Sequence, residues 1–426
     1  MIKKKLHGLA ELYRNNKKIA ENYLFMTILQ LLSSVFYVMI YPYLIHALGS
    51  EKYGLYVFAT SIVTYFVTLV TYGFDFPAVR AIAENSMDLS VKQYTLSCIF
   101  TAKLYLEFLA LIIFATIVFS IPYLRENWNI FFICFAQTLS SILFPQWYFQ
   151  GIQRMKVVTY IQVTFKILSL PFIFLLVKNP EHLWIFVLIV SLVNFLGALT
   201  ASFIIRYKEK INIQIIPFAE ITKWFKEATP FFLSSSASII KEQSIAVIIG
   251  SFFGMKDVAI YDLANKIILL PRILLVNING AIFPKIITNI KTEQIKKIIK
   301  YETMVGLLVI LAVAGFGKWI VLLMANKNML EAYPIAIILS TTVLVWLVVG
   351  SYISFIFVPQ NKYKYVTNNQ FVALFSFVIY CSIGLLITTD IYVLVFSIAL
   401  SGLTEIAYCN FIIFKKKLLL IKNNTE

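Results

Sequence analysis

Long apolar stretches separated by short polar segments repeat along the whole chain. Each stretch is long enough to cross the hydrocarbon core of a bilayer, which takes about 20 helical residues. The period-2 alternation that a membrane β-barrel needs is absent from the sequence. The pattern therefore predicts an all-α integral membrane protein with about twelve transmembrane helices. The predicted segments are 22–46, 54–74, 96–120, 128–149, 158–177, 183–205, 229–252, 258–283, 304–325, 333–357, 367–388 and 391–414.

Composition agrees with a membrane protein. Hydrophobic residues make up 60% of the 426 residues and charged residues 14%, against about 45–50% and about 25% in soluble domains. On a soluble protein, a net charge of +16 would suggest that the protein binds nucleic acid. Here we attribute it to membrane orientation and anionic lipid, and no nucleic acid partner is expected.

Lysine and arginine are distributed unevenly between the loops. The N-terminus and every second loop carry roughly five times as many as the opposite loops, so the positive-inside rule places both termini in the cytoplasm. The chain then divides into a cytoplasmic amphipathic leader, an N-terminal six-helix lobe, a cytoplasmic linker, a C-terminal six-helix lobe and a basic cytoplasmic tail. Their bounds are 1–21, 22–205, 206–228, 229–414 and 415–426.

The two halves of the chain resemble each other. Residues 48–62 align without a gap to residues 253–267, which matches Gly49 with Gly254. A second stretch aligns at nearly the same offset. Two halves of the same topology would be related by an axis along the membrane normal. Independent use of glycine and aromatic residues at helix entrances is the alternative.

Ionisable residues inside the predicted segments are the candidate functional residues. A charge at the centre of a bilayer costs about 2.5–3.5 kcal/mol on insertion scales, so such residues usually face a cavity or a partner. Lys318 and Glu405 lie near segment ends and are interpreted as structural. The deeper cations outnumber the acids, which favours an anionic substrate bound by Lys103, Lys166, Lys241, Lys266 and Arg272. The candidates for H⁺ or Na⁺ coupling are Asp262, Glu242 and Glu107.

The eighth segment carries the densest polar pattern. Asp262 and Lys266 stand four residues apart and can pair on one face of a helix. Arg272 lies close to the same stripe, and Pro271 is expected to kink the helix. Such a helix is suited to line a cavity. Neutralised pairs that only join helices are the alternative.

The first six segments contain three of these charged residues. Lys103 and Glu107 have the same four-residue spacing and predict a second pair, whereas Lys166 has no acid nearby and is expected to meet an anionic ligand or another helix.

The sequence has no nucleotide-binding loop, zinc motif or carboxylate cluster outside the segments. We therefore expect no catalytic residue, metal site or cofactor, and a protein that is not an enzyme.

Three stretches resemble a known family. The stretch 41–84, beginning YPYLIHALGSEKYGLYVF, resembles the opening of Wzx-type polysaccharide-biosynthesis flippases of the multidrug/oligosaccharidyl-lipid/polysaccharide exporter superfamily. The stretch PQWYFQGIQRMKVVTYIQ (145–162) resembles that family's junction of the fourth and fifth helices, and GMKDVAIYDLANKI resembles its eighth helix. The resemblance implies two six-helix lobes around a central cavity, which opens alternately to either side of the bacterial cytoplasmic (inner) membrane.

The resemblance also implies a cargo and its partners. The cargo would be an undecaprenyl-diphosphate-linked oligosaccharide repeat unit for O-antigen or capsule assembly, handed on to a polymerase and other polysaccharide-assembly proteins. Basic residues of the seventh and eighth helices would bind its anionic part, and Lys241, Lys266 and Arg272 lie there. A cation-coupled multidrug exporter of the same superfamily is the alternative. A lipid II flippase and a membrane glycosyltransferase or polymerase rank lower.

Overall fold

The computed structural model describes residues 2–287, 292–325 and 327–418, and in these ranges the chain is helical without any strand. This confirms the predicted fold class. The helices are α1 (Ile2–Thr71), α2 (Asp75–Glu84), α3 (Leu89–Ser120), α4 (Pro122–Glu126), α5 (Trp128–Phe135), α6 (Gln137–Leu143), α7 (Gln146–Gly151), α8 (Met155–Leu176), α9 (Leu183–Tyr207), α10 (Phe218–Phe252), α11 (Met255–Ile287), α12 (Thr292–Met324), α13 (Ala332–Tyr352), α14 (Tyr363–Ile387) and α15 (Ile391–Lys415).

Ten helical stretches among the described residues are long and apolar enough to cross a membrane, so the protein is a multi-pass membrane protein. One of them, Leu24–Thr71, has 48 residues. A single helix of that length would extend about 72 Å, more than twice a bilayer core of about 30 Å. Gly49 interrupts it with non-helical torsion angles (φ 74°, ψ 162°). The stretch therefore contains the first two predicted segments, and the total of about twelve stays a prediction.

Polar residues at the segment ends explain where several helices begin. The side chain of Asp88 accepts hydrogen bonds from the backbone N–H groups of Ser90 and Val91, at 2.8 and 3.2 Å. Asp390 accepts one from Tyr392 at 3.0 Å. Such caps satisfy N–H groups that the first helical turn leaves without partners. They fix the starts of α3 and α15.

The chain forms two compact units. The first unit comprises Met1–Phe36 and Val63–Phe232, and the second comprises Tyr37–Ile62 and Leu233–Glu426. The second unit thus includes the middle of α1. The division of the sequence into two six-helix lobes stays a prediction.

Glycines allow close helix packing within the second unit. A Cβ atom on Gly54 would lie 1.7 Å from the backbone oxygen of Met255, and one on Gly250 would lie 2.3 Å from the ring of Phe58. The contact of Gly54 with Met255 joins the two stretches that the internal alignment matched. Gly49 and Gly254, which that alignment pairs, both have positive φ angles of 74° and 129°. Each therefore interrupts the helical path next to one of these contacts.

Candidate functional site

Asp262 joins α11 to the middle of α1 within the second unit. Its Oδ2 accepts a hydrogen bond from the hydroxyl of Tyr53 at 3.0 Å, and its Oδ1 lies 3.6 Å from Nζ of Lys266. The predicted pairing of Asp262 with Lys266 is confirmed. Tyr41 strengthens the same junction, because its hydroxyl donates to the backbone oxygen of Ala259 at 3.2 Å. The Asp262 carboxylate therefore has a neutral partner, the Tyr53 hydroxyl, and a cationic partner, the Lys266 ammonium.

Lys266 lies between a carboxylate and an aromatic ring. Its Nζ is 5.1 Å from the centroid of the Tyr37 ring, a distance at which the ring face attracts a cation. The Lys266 side chain as a whole is 24% exposed. Tyr37 is 39% exposed. An anion that reached Lys266 would also meet this ring.

Arg272 repeats this arrangement further along α11. Its Nη2 donates to Oε1 of Glu242 on α10 at 3.3 Å, and its guanidinium carbon is 4.9 Å from the Trp346 ring centroid on α13. The Arg272 side chain is 31% exposed and that of Glu242 is 41% exposed. Guanidinium has five N–H donors in a planar fork that matches phosphate oxygens. Arg272 thus has donors left for an anionic ligand.

Lys241, also on α10, lies in a closed polar network. Its Nζ is 2.5 Å from Oε1 of Glu405 on α15, with side chains 14% and 8% exposed. Asn369 donates to the other oxygen of Glu405 at 3.2 Å and accepts from the Cys409 thiol at 3.4 Å. Glu405 therefore pairs across helices and is buried, which agrees with its interpretation as a structural residue.

The predicted pair of Lys103 with Glu107 is wrong. The Lys103 side chain, 3% exposed, lies 3.2 Å from Oδ1 of Asp75 at the start of α2. Glu107 instead accepts a hydrogen bond from Thr138 on α6 at 2.7 Å. Both side chains of the expected pair therefore have partners on other helices.

Lys166 meets another helix, one of the two partners expected for it. Its Nζ donates to the hydroxyl of Ser33 on α1 at 2.6 Å. With Lys103 and Glu107 it belongs to the first unit. The second unit contains the other predicted residues, and it adds Tyr53 and Trp346, which no sequence pattern identifies.

No spacing rule could have selected Tyr53 or Trp346. Tyr53 lies 209 residues from Asp262 in the sequence, and Trp346 is one aromatic residue within a continuous apolar run. Only their contacts with charged side chains mark them.

The chain is similar to known proteins along most of its length. A family model described as "Polysaccharide biosynthesis protein" matches residues 19–290. A curated protein of Escherichia coli (strain K12) named "Putative O-antigen transporter" is 22% identical over 285 residues, which is 67% of this chain and 69% of that protein. A protein of the same name from Shigella dysenteriae is 27% identical over 221 residues, 51% of this chain and 54% of its own.

Solved structures share the fold. A multidrug resistance MATE family transporter of the MOP superfamily, in an inward-facing conformation, superposes with a TM-score of 0.66 at 13% identity over 93% of this chain and 96% of that one. The lipid II flippase MurJ in an inward closed conformation gives 0.63 at 13% identity over 93% and 87%. The fold is therefore that of MATE-like transporters. Since the family model matches well over half of the sequence, the chain belongs to the family of polysaccharide biosynthesis proteins.

Proposed function

We propose that the protein is a flippase that moves undecaprenyl-diphosphate-linked oligosaccharide repeat units across the bacterial cytoplasmic membrane for surface polysaccharide assembly. Its membership of the polysaccharide biosynthesis family supports a polysaccharide precursor as cargo. The observation that carries the proposal is the pair of partly exposed cations on α11, Lys266 and Arg272, each beside an aromatic ring. Cations suit a diphosphate, and aromatic faces suit sugar rings. The proposed mechanism is alternating access.

In this proposal the acids on α10 and α11 keep the empty site stable. A lysine or arginine in a membrane segment is costly unless it has a counterion, and Asp262 and Glu242 provide one each. A diphosphate adds two further negative groups, which Arg272 can bind through the N–H donors that Glu242 leaves unused. Lys103, Lys166 and Lys241 stay proposed as further substrate contacts.

We also propose that a proton entering the cell drives cargo outward through Asp262. Its contact with Lys266 depends on its charge, so a proton on Asp262 would weaken the ion pair beside the hydrogen bond from Tyr53 that joins α11 to α1. Glu242 and Glu107 are the other proposed coupling residues, and a sodium ion is the other proposed coupling ion. Asp262→Asn should then abolish stimulation of flipping by a pH gradient and leave gradient-independent exchange measurable.

The function is tested with the purified full-length protein in proteoliposomes. Lipid-linked oligosaccharide is placed in one leaflet, and its appearance in the other leaflet is measured with a membrane-impermeant lectin or glycosidase. We expect flipping by the wild type, at least tenfold slower flipping by Arg272→Gln, and wild-type flipping by Lys318→Gln, in which the removed charge is exposed on α12. Absence of flipping by the wild type, together with efflux of a cationic drug, would favour the multidrug exporter. A fully active Arg272→Gln would remove that residue from the site.

A further inference from the structure

A pocket of about 430 Å³ lies in the first unit and includes none of the candidate residues above. Three stretches of the chain line it: residues 21–25 around the start of the first predicted membrane segment, residues 149–157 from the end of α7 to the first turn of α8, and residues 204–209 at the end of α9 and after it. Because these segments adjoin loops rich in basic residues, the predicted topology places the pocket at the cytoplasmic ends of the helices. The lining combines apolar side chains with charged ones.

Hydrogen bonds between the lining segments fix the shape of the pocket. The side chain of Asn22 accepts the backbone N–H of Met155 at 2.8 Å, at the first residue of α8. Thr159, one turn further along α8, donates to the backbone oxygen of Phe25 at 2.9 Å. The N–H of Arg154 closes the preceding turn by donating to the backbone oxygen of Phe149 at 2.7 Å. The first two lining segments are therefore held together by direct hydrogen bonds.

The charges in the lining leave an excess of positive charge. Glu209 forms an ion pair with Arg154, and it also accepts a hydrogen bond from Tyr148 at 3.4 Å. With that carboxylate neutralised, the remaining charged lining residues are Lys156, Lys208 and Glu21. Two cations against one acid favour an anionic ligand.

Aromatic side chains hold one of these cations in place. Nζ of Lys156 lies 5.6 Å from the ring centroid of Phe25 and 5.7 Å from that of Tyr160, within the range of cation–π attraction. Tyr160 is 57% exposed, and the exposed rings of Phe203 and Tyr207 stack on each other on α9. Exposed aromatic rings at helix ends are typical of the depth of lipid headgroups.

We propose that this pocket binds the phosphate headgroup of an anionic phospholipid in the cytoplasmic leaflet. Lys156 and Lys208 contact the phosphate, and the ion pair of Arg154 with Glu209 forms a fixed wall. The acyl chains follow the exposed apolar side chains of α8 and α9 into the bilayer. Basic pockets between transmembrane helices on the cytoplasmic side recur as sites for anionic headgroups. Binding would tie the start of the first predicted segment, at Asn22, to α8 and α9.

The test measures the thermal unfolding midpoint of the full-length protein in detergent with added phosphatidylglycerol or phosphatidylcholine of the same acyl chains. We expect phosphatidylglycerol to raise the midpoint more than phosphatidylcholine does. In Lys156→Gln/Lys208→Gln the apparent affinity for phosphatidylglycerol should fall about fivefold per lysine. The matched control is Lys223→Gln/Lys226→Gln, which removes two exposed charges of α10 outside the pocket and should keep the response. Lys156→Arg/Lys208→Arg should keep it too.

Three results would overturn the proposal. An equal loss in the control pair would mean diffuse attraction to the whole cytoplasmic surface. Equal protection by inorganic phosphate would assign the pocket to a soluble anion, and protection by undecaprenyl phosphate without protection by phosphatidylglycerol would assign it to the lipid carrier. If the glutamine variant is too unstable for unfolding curves, native mass spectrometry counts the phosphatidylglycerol molecules retained. An unchanged count in Lys156→Gln/Lys208→Gln would then contradict the site.

Discussion

Replacing Glu405 with glutamine should lower the free energy of unfolding by about 3–5 kcal/mol. The Glu405 side chain is 8% exposed and lies 2.5 Å from the ammonium of Lys241, which is 14% exposed. Glutamine keeps the shape and the acceptor for Asn369 but removes the negative charge. The buried ammonium of Lys241 then loses its counterion, and no other acid is within ion-pair distance among the described residues.

The distance sets the scale of the effect. Two unit charges 2.5 Å apart attract by about 7 kcal/mol at an effective dielectric constant of about 20. The cost of removing both charges from water offsets much of this attraction, so the pair adds little net stability, whereas the loss of one partner leaves an uncompensated charge. Lys241→Met/Glu405→Met removes both charges and should therefore recover most of the stability lost in Glu405→Gln.

The assay is denaturant unfolding of the purified protein in detergent, followed by tryptophan fluorescence and analysed as a double-mutant cycle. Lys318→Gln is the matched control, because it removes a lysine charge that is exposed on α12, and it should change the free energy of unfolding by less than about 0.5 kcal/mol. Two results would contradict a buried ion pair between Lys241 and Glu405: a Glu405→Gln variant as stable as the control, or a double variant whose loss equals the sum of the two single losses.

Three other substitutions test the second unit. Tyr53→Phe deletes the hydrogen bond to Asp262 and should lower the free energy of unfolding by about 1.5–3 kcal/mol in the same assay; an unchanged value would contradict the contact. Gly54→Ala places a Cβ 1.7 Å from a backbone oxygen and should reduce the monodisperse yield on size-exclusion chromatography, whereas Gly315→Ala, with open space around it, should not. Burial and a nearby glutamate raise the pKa of Asp257. Asp257 then binds its proton more tightly in the folded than in the unfolded state, so the free energy of unfolding falls as pH rises through the raised pKa. Asp257→Asn should flatten this pH dependence. An unchanged pH profile in the variant would contradict the prediction.

The sequence was sufficient for the fold class and for one of the two ion pairs predicted within a helix. Long apolar stretches require helices in a bilayer, because every backbone polar group must find a partner within its own segment. The pair of Asp262 with Lys266 agrees with the helical repeat. Gly49 was matched with Gly254 by alignment, and both have positive φ angles in the structure. Each of these features depends on residues that are close in sequence or in a repeated pattern.

The partners that charged side chains find on other helices could not be predicted from the sequence. Four-residue spacing suggested Glu107 as the partner of Lys103, but the structure provides Asp75, which is 28 residues away. Glu405 lies 164 residues from Lys241, and its position near a segment end gave no sign of burial. Helical spacing identifies neighbours on one helix, whereas the choice among neighbours on different helices depends on packing angles that a single sequence does not encode locally.

The degree of exposure separates the intramembrane cations into two groups that should respond differently to substitution. Lys103 and Lys241 have side chains that are 3% and 14% exposed, each with a carboxylate partner on another helix. Lys266 and Arg272 are 24% and 31% exposed, and each also faces an aromatic ring. A ligand can reach the second group without breaking buried pairs, because the side chains are already accessible. Neutral substitutions in the first group should therefore act mainly on stability, and those in the second group mainly on the proposed transport.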